Sequence, residues 1–141
     1  SRMPSSLGLG LALAQHELDV KLVDSDRAAL IRMGNFATIC ICRPNNYFHL
    51  LLDNEAHDST GAQATVAAST DFARIAAACG YGHVIRSDEP ADLLPLLQTR
   101  TDQGARFMHL KIRTGTRPDL PRPAITPPAV LQRLMRHIGV C

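Results

Sequence analysis

The sequence predicts an α/β fold, a mostly parallel sheet with helices on both faces, over one domain of residues 1–141. Segments with the apolar pattern of strands alternate along the chain with segments whose apolar residues recur at helical spacing. Residues 47–52 are almost continuously apolar, which is typical of a parallel strand covered on both faces. Strands and helices that alternate over this length are joined by right-handed crossovers.

The first half of the chain predicts two strands and at least two helices. Leucines and small residues over residues 7–14 predict a first helix, and an alternating pattern over residues 20–24 predicts a strand. From Ala28 the apolar residues recur at helical spacing, either in one helix or in two pieces around Gly34. The apolar segment at residues 47–53 is the second strand.

The middle of the chain continues the alternation. Residues 72–79 predict a third helix, which Thr70 or Asp71 caps and Gly80 ends. A short strand at residues 83–85 follows this helix.

The last third of the chain contains a proline-rich segment. A helix near residues 93–97 and a strand over residues 106–113 precede it. The prolines of residues 114–128 predict a loop, and residues 130–138 then have the spacing of a final amphipathic helix.

Composition and charge exclude two classes of protein. The chain is 45% hydrophobic, but its apolar runs are shorter than the roughly 18 residues that a membrane span needs. The 15 Lys and Arg residues nearly balance 13 Asp and Glu residues, so the net charge is +2, and aromatic residues make up only 4% of the chain. A nucleic-acid binder needs a one-sided basic surface or stacking aromatic side chains. We therefore expect neither membrane nor nucleic acid as a partner.

The four cysteines, without a secretory segment, predict reduced thiols and a cytoplasmic protein. Cys40 and Cys42 raise a metal hypothesis, but on a helix they point about 200° apart. No second cysteine or histidine pair at zinc spacing follows them in the sequence. We prefer to interpret them as small packed side chains.

Polar clusters follow the first two predicted strands, at residues 24–27 and 53–61. Ligands of parallel sheets bind outside the carboxyl ends of the strands, so these clusters are the first candidate site. Asp26 offers a carboxylate and Asn54 an amide oxygen, both suited to Mg²⁺ or Ca²⁺. The Gly, Ser and Thr residues of the second cluster supply backbone N–H groups for an anion. A magnesium-clamped diphosphate fits both clusters.

These residues carry a resemblance to a known family. The acidic turn around Asp26, 25 intervening residues and then Asp53-Asn54 resemble the thiamine-diphosphate motif, written G-D-G followed by N-N. Residues 26–35 with residues 52–65 resemble the phosphonopyruvate decarboxylases, and residues 59–61 are also similar to the methanogen sulfopyruvate decarboxylase β subunit. The resemblance covers nearly the whole chain, as the C-terminal diphosphate-binding domain of that enzyme.

The resemblance implies ligands for the cofactor and its metal. Asp26, Asn54 and the backbone carbonyl of Ala56 would bind Mg²⁺, which bridges to the diphosphate. The remaining expected cofactor contacts are Met3, Ser25, Arg27 and Ala28. Met3 falls where the wider superfamily places a bulky apolar residue under the cofactor.

The resemblance also implies a substrate-binding segment. Ser59, Thr60 and Gln63 fall where related decarboxylases direct side chains at the substrate. His57, beside the metal loop, could relay a proton, or its ring could instead bond neighbouring backbone.

The implied activity is decarboxylation of a small anionic 2-keto acid. Phosphonopyruvate would give phosphonoacetaldehyde and CO₂, a step of phosphonate metabolism and antibiotic biosynthesis, and sulfopyruvate is the alternative substrate. The family activates the cofactor with a glutamate from a pyrimidine-binding domain, which these residues do not supply. The chain is therefore expected to be a fragment or subunit, inactive alone, that works in a homo- or hetero-oligomer.

The chain departs from the family motif at its turns. Both motif glycines are replaced, by Ser25 and Arg27, and Ser1, Arg2 and Pro4 replace the expected opening turn. Because glycine permits positive φ and close approach of the backbone to phosphate, we expect weakened cofactor binding. Arg27 could pair with the diphosphate or obstruct the pocket. A noncatalytic α/β scaffold is the alternative function.

The remaining polar residues are interpreted as structural. His49 is expected to be a packed, hydrogen-bonded core residue, and His109 has no partner at useful spacing. A basic set is expected to be a solvated edge, with attraction of an anionic substrate as the alternative. The members of this set are Lys111, Arg113, Arg117 and Arg122.

Overall fold

The computed structural model describes residues 3–57, 63–115 and 117–140. The helices are α1 Pro4–Ala14, α2 Asp26–Ile31, α3 Gly34–Cys42, α4 Phe72–Cys79, α5 Leu93–Gln98 and α6 Pro127–His137. The strands are β1 Val20–Ser25, β2 Tyr47–Asp53, β3 Ala56–His57, β4 Gln63–Ala64, β5 His83–Ser87 and β6 Arg106–Lys111. Short 3₁₀ turns occupy Val66–Ser69 and Pro90–Asp92.

The main sheet has four parallel strands in the order β1-β2-β6-β5. A separate antiparallel pair, β3 and β4, follows β2. The parallel sheet and its alternation with helices confirm the predicted fold class. Strand β6 ends at Lys111 rather than at residue 113, because its ladder with β2 ends where Lys111 pairs with Asp53.

Helices cover both faces of the sheet, as predicted, but unequally. On one face Tyr47, Leu51 and Phe107 pack against α1, α3 and α4. On the other face Phe48 and Met108 pack against the leucines of α5. The central strands β2 and β6 are therefore buried on both sides, which explains their continuous apolar sequences.

The predicted second helix is two helices, α2 and α3, and the break lies just before Gly34. The Asp71 side chain caps α4 by accepting from the Arg74 N–H at 3.0 Å, and Gly80 ends α4 at a φ of 104°. These features confirm the break and the caps that the sequence predicts. Cys40 is buried and Cys42 is exposed, because residues two apart on α3 face different ways, so the interpretation of both as small packed side chains is wrong for Cys42.

Asn46 ties the first helix to the sheet. Its side-chain amide nitrogen donates to the carbonyls of Ala12, Gln15 and Leu18, at distances of 2.9–3.0 Å. These carbonyls end α1 and lead into β1, so one buried side chain satisfies the polar groups that the helix end leaves free.

The proline-rich segment lacks regular structure up to Thr126, in the residues that the structure describes, and not up to residue 128 as predicted. The Thr126 hydroxyl caps α6, and prolines are tolerated in a first helical turn because their missing N–H has no helical partner there. None of the α6 residues described is buried, and Val130 and Leu131 are about half exposed. The described helices include none long and apolar enough to cross a membrane.

Arg106 is a buried cation at the start of β6, the end of the sheet opposite the predicted site. Its guanidinium donates to the carbonyls of Leu96 and Thr99 and to the Asp19 carboxylate, the last at 2.6 Å. Burial alone would raise the pKa of Asp19. The hydrogen bonds and charges of Lys21 and Arg106 outweigh it and hold that pKa below its ordinary value.

Asp19→Asn should destabilise the fold by roughly 1–3 kcal/mol at neutral pH, because it removes the counter-charge of a buried guanidinium. Asp19 binds protons less readily in the folded chain than in the unfolded one. Its contribution is therefore complete above the ordinary carboxyl pKa of 3.8 and is lost as the pH falls through the lower folded value. Urea unfolding of both proteins between pH 2 and pH 7, roughly the carboxyl titration range, measures this.

Asp88→Asn is the matched control, since Asp88 is exposed and has no ion pair within the described part of the chain. Equal acid sensitivity of the Asp19 and Asp88 variants would contradict the assignment.

Candidate cofactor site

The two predicted ligand turns lie at the same edge of the sheet. Strands β1 and β2 are adjacent and parallel, and their register pairs Asp24 with Leu51 and Ser25 with Leu52. Asp26 and Asn54 follow directly after these paired ends. The structure therefore brings together the two clusters that sequence spacing singled out.

A cavity of about 380 Å³ opens at this edge. Three of the predicted cofactor residues line it: Ser25, Ala28 and Asn54. Its other lining residues are Pro4, Val23, Asp24, Leu52 and Ile112. Polar groups from the two turns and apolar side chains from three strand ends thus share one opening.

Asp26, the predicted metal carboxylate, is only 2% exposed. Its Oδ2 accepts a hydrogen bond from the Thr65 hydroxyl at 2.8 Å. Thr65 follows β4, and its hydroxyl oxygen also accepts from the Ala67 N–H at 3.2 Å. The hydroxyl therefore fixes the Asp26 carboxylate against the segment that follows the second turn, and sequence spacing gave no sign of this contact.

Asn54 and Ala56 form the second turn. The Asn54 side-chain oxygen accepts from the Ala56 N–H at 3.1 Å, an Asx turn, and Ala56 then begins β3. Between them Glu55 has a φ of 57°, in the left-handed region that costs a side chain about 1–2 kcal/mol. The surrounding contacts over-determine this conformation, as in strained functional loops.

The first turn has ordinary backbone angles. Ser25 has a φ of −116°, and its hydroxyl accepts from the Ala28 N–H to cap α2. Arg27 lies within α2 and is half-buried. Neither residue that replaces a motif glycine has positive φ in this turn, so the turn forms here without backbone strain. The expectation of weakened cofactor binding stays a prediction, since glycine would also let the backbone approach phosphate more closely.

The other predicted residues are placed less completely. Met3 precedes the cavity residue Pro4, and its sulfur accepts from Arg32 at 3.6 Å. His57 and Gln63 pair through their backbones in β3 and β4, but their side chains are not among those described. Ser59 and Thr60 lie outside the described residues.

A buried polar chain approaches the cavity from the core. Asp24 Oδ1 accepts from the Ser25 N–H at 2.9 Å, and its Oδ2 lies 3.1 Å from His49 Nε2. His49 Nδ1 lies 2.9 Å from the Tyr81 hydroxyl, whose pKa burial raises far above its ordinary value. His49 is thus the hydrogen-bonded core residue that its position in an apolar strand predicted.

His109 and Lys111 have partners that the sequence analysis did not find. His109 Nε2 lies 2.7 Å and Lys111 Nζ 2.9 Å from Asp53 Oδ2, and Lys111 also pairs with Glu55. Burial alone would raise the pKa of Asp53. The hydrogen bonds from Lys111, His109 and the Glu55 N–H outweigh it and lower that pKa. Lys111 is therefore paired with carboxylates at this edge of the sheet and does not belong to the solvated basic set that the sequence predicted.

The donor chemistry of the site fits the group that the fold family implies. A carboxylate, an amide oxygen and a backbone carbonyl are hard ligands, and Mg²⁺ is usually held by one or two carboxylates together with phosphate oxygens. Ala28 contributes only a methyl group to the cavity wall beside Ser25, which leaves the opening free of bulk.

No protein-family model matches the chain. The phosphonopyruvate decarboxylase of Streptomyces viridochromogenes is 41% identical over 138 residues, which are 96% of this chain and 35% of that protein. The sulfopyruvate decarboxylase subunit beta of Methanothermobacter thermautotrophicus is 33% identical over 136 residues, which are 96% of this chain and 70% of that subunit.

The chain belongs to the family of phosphonopyruvate and sulfopyruvate decarboxylases. It spans about a third of the length of the phosphonopyruvate decarboxylases that it matches. Its fold is also similar to the X-ray structure of a Mycobacterium smegmatis protein described as a thiamin diphosphate-dependent enzyme. The TM-score is 0.59 at 16% identity, over 79% of this chain and 22% of that chain.

Thr65→Val should destabilise this family member by roughly 1–3 kcal/mol, because it leaves the buried Asp26 carboxylate without its hydroxyl partner. Thr65→Ser keeps the hydroxyl and should retain most of the stability. Urea unfolding of the three proteins at neutral pH measures the difference. Equal stability of the valine and serine variants would show that this hydrogen bond contributes nothing.

Proposed function

We propose that this chain is the diphosphate-binding part of a thiamine-diphosphate-dependent 2-keto acid decarboxylase that converts phosphonopyruvate to phosphonoacetaldehyde and CO₂. The observation that carries the proposal is the cavity shared by Ser25, Ala28 and Asn54, where two parallel strands end in turns with oxygen ligands. The identity of 41% to a phosphonopyruvate decarboxylase supports this substrate.

In this proposal the chain holds the diphosphate end of the cofactor. Asp26, Asn54 and the Ala56 carbonyl would bind Mg²⁺, and the Ser25 hydroxyl would face the diphosphate. Arg27, in the first turn of α2, adds a cation where a diphosphate bound at Ser25 would need one. A guanidinium forms strong charge-assisted hydrogen bonds to phosphate oxygens.

Thiamine diphosphate supplies the electron sink that makes loss of CO₂ from a 2-keto acid possible. The residues of this chain bind and orient it. Val23, Leu52 and Ile112 form the apolar part of the cavity lining, and Val23 and Ile112 are exposed, so a partner that covers them would exclude water from the polar contacts beside them and strengthen those contacts. Ser59, Thr60 and Gln63 stay as proposed substrate contacts, with His57 as a further candidate.

The proposed enzyme needs a second component. Relatives that this chain covers to about 70% carry the name subunit beta, which implies a companion subunit in those proteins. We propose that a pyrimidine-binding domain or subunit closes over the cavity and brings the activating glutamate. On its own the chain would bind cofactor without turning over substrate.

Sulfopyruvate is the second candidate substrate. The chain matches 70% of a sulfopyruvate decarboxylase β subunit, against 35% of a phosphonopyruvate decarboxylase. A phosphonate and a sulfonate carry oxygens in a similar arrangement, and at neutral pH the phosphonate carries the larger negative charge. Since the proposed substrate contacts lie largely outside the described residues, the choice between the two rests on assay.

Thiamine diphosphate with Mg²⁺ should raise the melting temperature of the chain, because a ligand that binds only the folded state stabilises it, by about 2.7 kcal/mol at 100 times its Kd. Asp26→Ala should abolish this rise, because the metal and the diphosphate lose their shared carboxylate. Differential scanning calorimetry with and without Mg²⁺ measures both. Asp102→Ala, at an exposed residue that precedes β6 at the opposite end of the sheet, is the control and should keep the full rise.

The same titration determines whether the Arg27 side chain binds the diphosphate or obstructs the cavity. If its guanidinium binds the diphosphate, Arg27→Gln lowers the affinity about tenfold or more, the usual effect of losing a charge-assisted hydrogen bond. Tighter binding by Arg27→Gln would show that the side chain obstructs the cavity. No binding by wild type or by either variant, even with the companion component present, would leave the scaffold alternative.

The complete assembly that contains this chain should release CO₂ from phosphonopyruvate with a higher kcat/KM than from sulfopyruvate. Each substrate is supplied to the purified assembly with thiamine diphosphate and Mg²⁺, and CO₂ and the aldehyde are quantified. The reverse preference would assign the sulfopyruvate reaction. The assembly that carries Asp26→Ala is the background control.

A further inference from the structure

One arrangement of a carboxylate and an imidazole occurs twice at the cavity edge. Asp24 is the next-to-last residue of β1, before the first turn, and Asp53 is the last residue of β2, before the second. One oxygen of each carboxylate accepts a backbone N–H of its own turn, from Ser25 at 2.9 Å and from Glu55 at 3.0 Å. Each turn is therefore tied to the carboxylate that precedes it.

The second oxygen of each carboxylate meets a histidine on the next strand. His49 Nε2 lies 3.1 Å from Asp24 Oδ2, and His109 Nε2 lies 2.7 Å from Asp53 Oδ2. The register is the same in both cases. Asp24 pairs with the residue two after His49, and Asp53 pairs with Lys111, two after His109. The arrangement is repeated one strand further across the sheet.

These four side chains are almost fully buried, at 4% exposure or less. Their strand neighbours on the same face, such as Leu51 and Phe107, are apolar and fill the core. Well-packed apolar residues in place of a buried ion pair are often neutral or stabilising. Packing therefore does not explain two polar pairs here. The hydrogen bonds of the two carboxylates to the backbone N–H groups of the turns do explain them.

We infer that His49 and His109 are positioning residues of the cofactor site, which hold Asp24 and Asp53 so that both ligand turns are formed before the cofactor binds. The inference rests on the proposed function, and it adds two residues that contact neither metal nor diphosphate. Through Asp24, His49 sets the direction of the turn that presents Asp26. Through Asp53, His109 sets the turn that presents Asn54 and Ala56.

Asp24 selects the tautomer of His49, and Tyr81 supports the ring. A carboxylate accepts hydrogen bonds, so the nitrogen that faces Asp24 carries a proton, and in a neutral ring Nδ1 then accepts from the Tyr81 hydroxyl. His109 lacks this second contact, since its Nδ1 has no partner among the described residues. Lys111 instead adds a second donor to Asp53. The two pairs therefore have the same geometry, but different neighbouring side chains support them.

Exchange of the Ser25 and Glu55 amide protons, followed by NMR on the chain without cofactor, tests the inference. His49→Leu should speed exchange of the Ser25 amide at least tenfold, and His109→Leu should do the same for Glu55. Glutamine at either position keeps an N–H donor and should restore most of the protection. His83→Leu, at an exposed histidine of β5, is the control and should change neither amide.

Histidine ¹⁵N spectra give a readout that a purely packing role would leave unmoved. His49 should carry its proton on Nε2, because this nitrogen faces the Asp24 carboxylate, and Tyr81→Phe should keep this tautomer while it loosens the ring and speeds exchange of the Ser25 amide. Tyr81→Phe also keeps the inference testable if His49→Leu fails to fold. A proton on Nδ1 alone in wild type, or unchanged Ser25 exchange in Tyr81→Phe, would overturn the role of His49.

Titration with thiamine diphosphate and Mg²⁺ then separates the two proposals. The leucine variants should bind at least tenfold more weakly than wild type, and the glutamine variants should recover most of the affinity. Unchanged amide exchange in both leucine variants overturns the positioning inference whether or not cofactor binds. Wild type that shows protected turns but no binding overturns the proposed function alone.

Discussion

The parallel pairing of β1 with β2 is the constraint on which the site depends. Parallel strands end at the same edge of a sheet, so two chain segments that lie far apart in sequence deliver their turns to one place. A shift of the β1–β2 register by one residue would turn Asp24 to the face opposite His49, and the same shift between β2 and β6 would separate Asp53 from His109. The buried side chains that fix the register, among them Tyr47 and Leu51, therefore also fix the site.

The edge accommodates the buried carboxylates of Asp24 and Asp53 because each of them has more than one hydrogen-bond partner. Asp53 accepts from a backbone N–H, a histidine and a lysine, and these contacts reverse the effect of burial on its pKa. Arg106 also has several partners at the opposite end of the sheet, where its guanidinium donates to two carbonyls and to the Asp19 carboxylate. Several hydrogen bonds to one buried charged group restrict its geometry. A site that must present oxygen ligands in fixed positions benefits from this rigidity.

Sequence patterns predicted the helices, the four strands of the main sheet and the adjacency of the two ligand turns, since these follow from local periodicity, but they did not predict the β3–β4 pair. The strand ends, the break at Gly34 and the Asp71 cap are properties of a few neighbouring residues. The contacts of Thr65 with Asp26 and of His109 with Asp53 span 39 and 56 residues, and they depend on the strand order and on how segments pack. An aspartate at a strand end and a histidine inside an apolar strand were the available signals. The pairing itself became visible only with the register.

The glycines of the family motif combine backbone freedom with the absence of a side chain. Their replacement in this chain separates these two properties. Ser25 has an extended backbone and caps α2, and Arg27 is helical, so the turn forms without the freedom of glycine. Backbone strain instead lies at Glu55, whose side chain is held by Lys111. Because the first turn forms without strain, charge and volume at Arg27 are the proposed source of any change in cofactor binding. A cation attracts a diphosphate and repels a divalent metal ion. An Arg27 side chain beside both would therefore make binding of the diphosphate depend less on Mg²⁺, even where the affinity stays high.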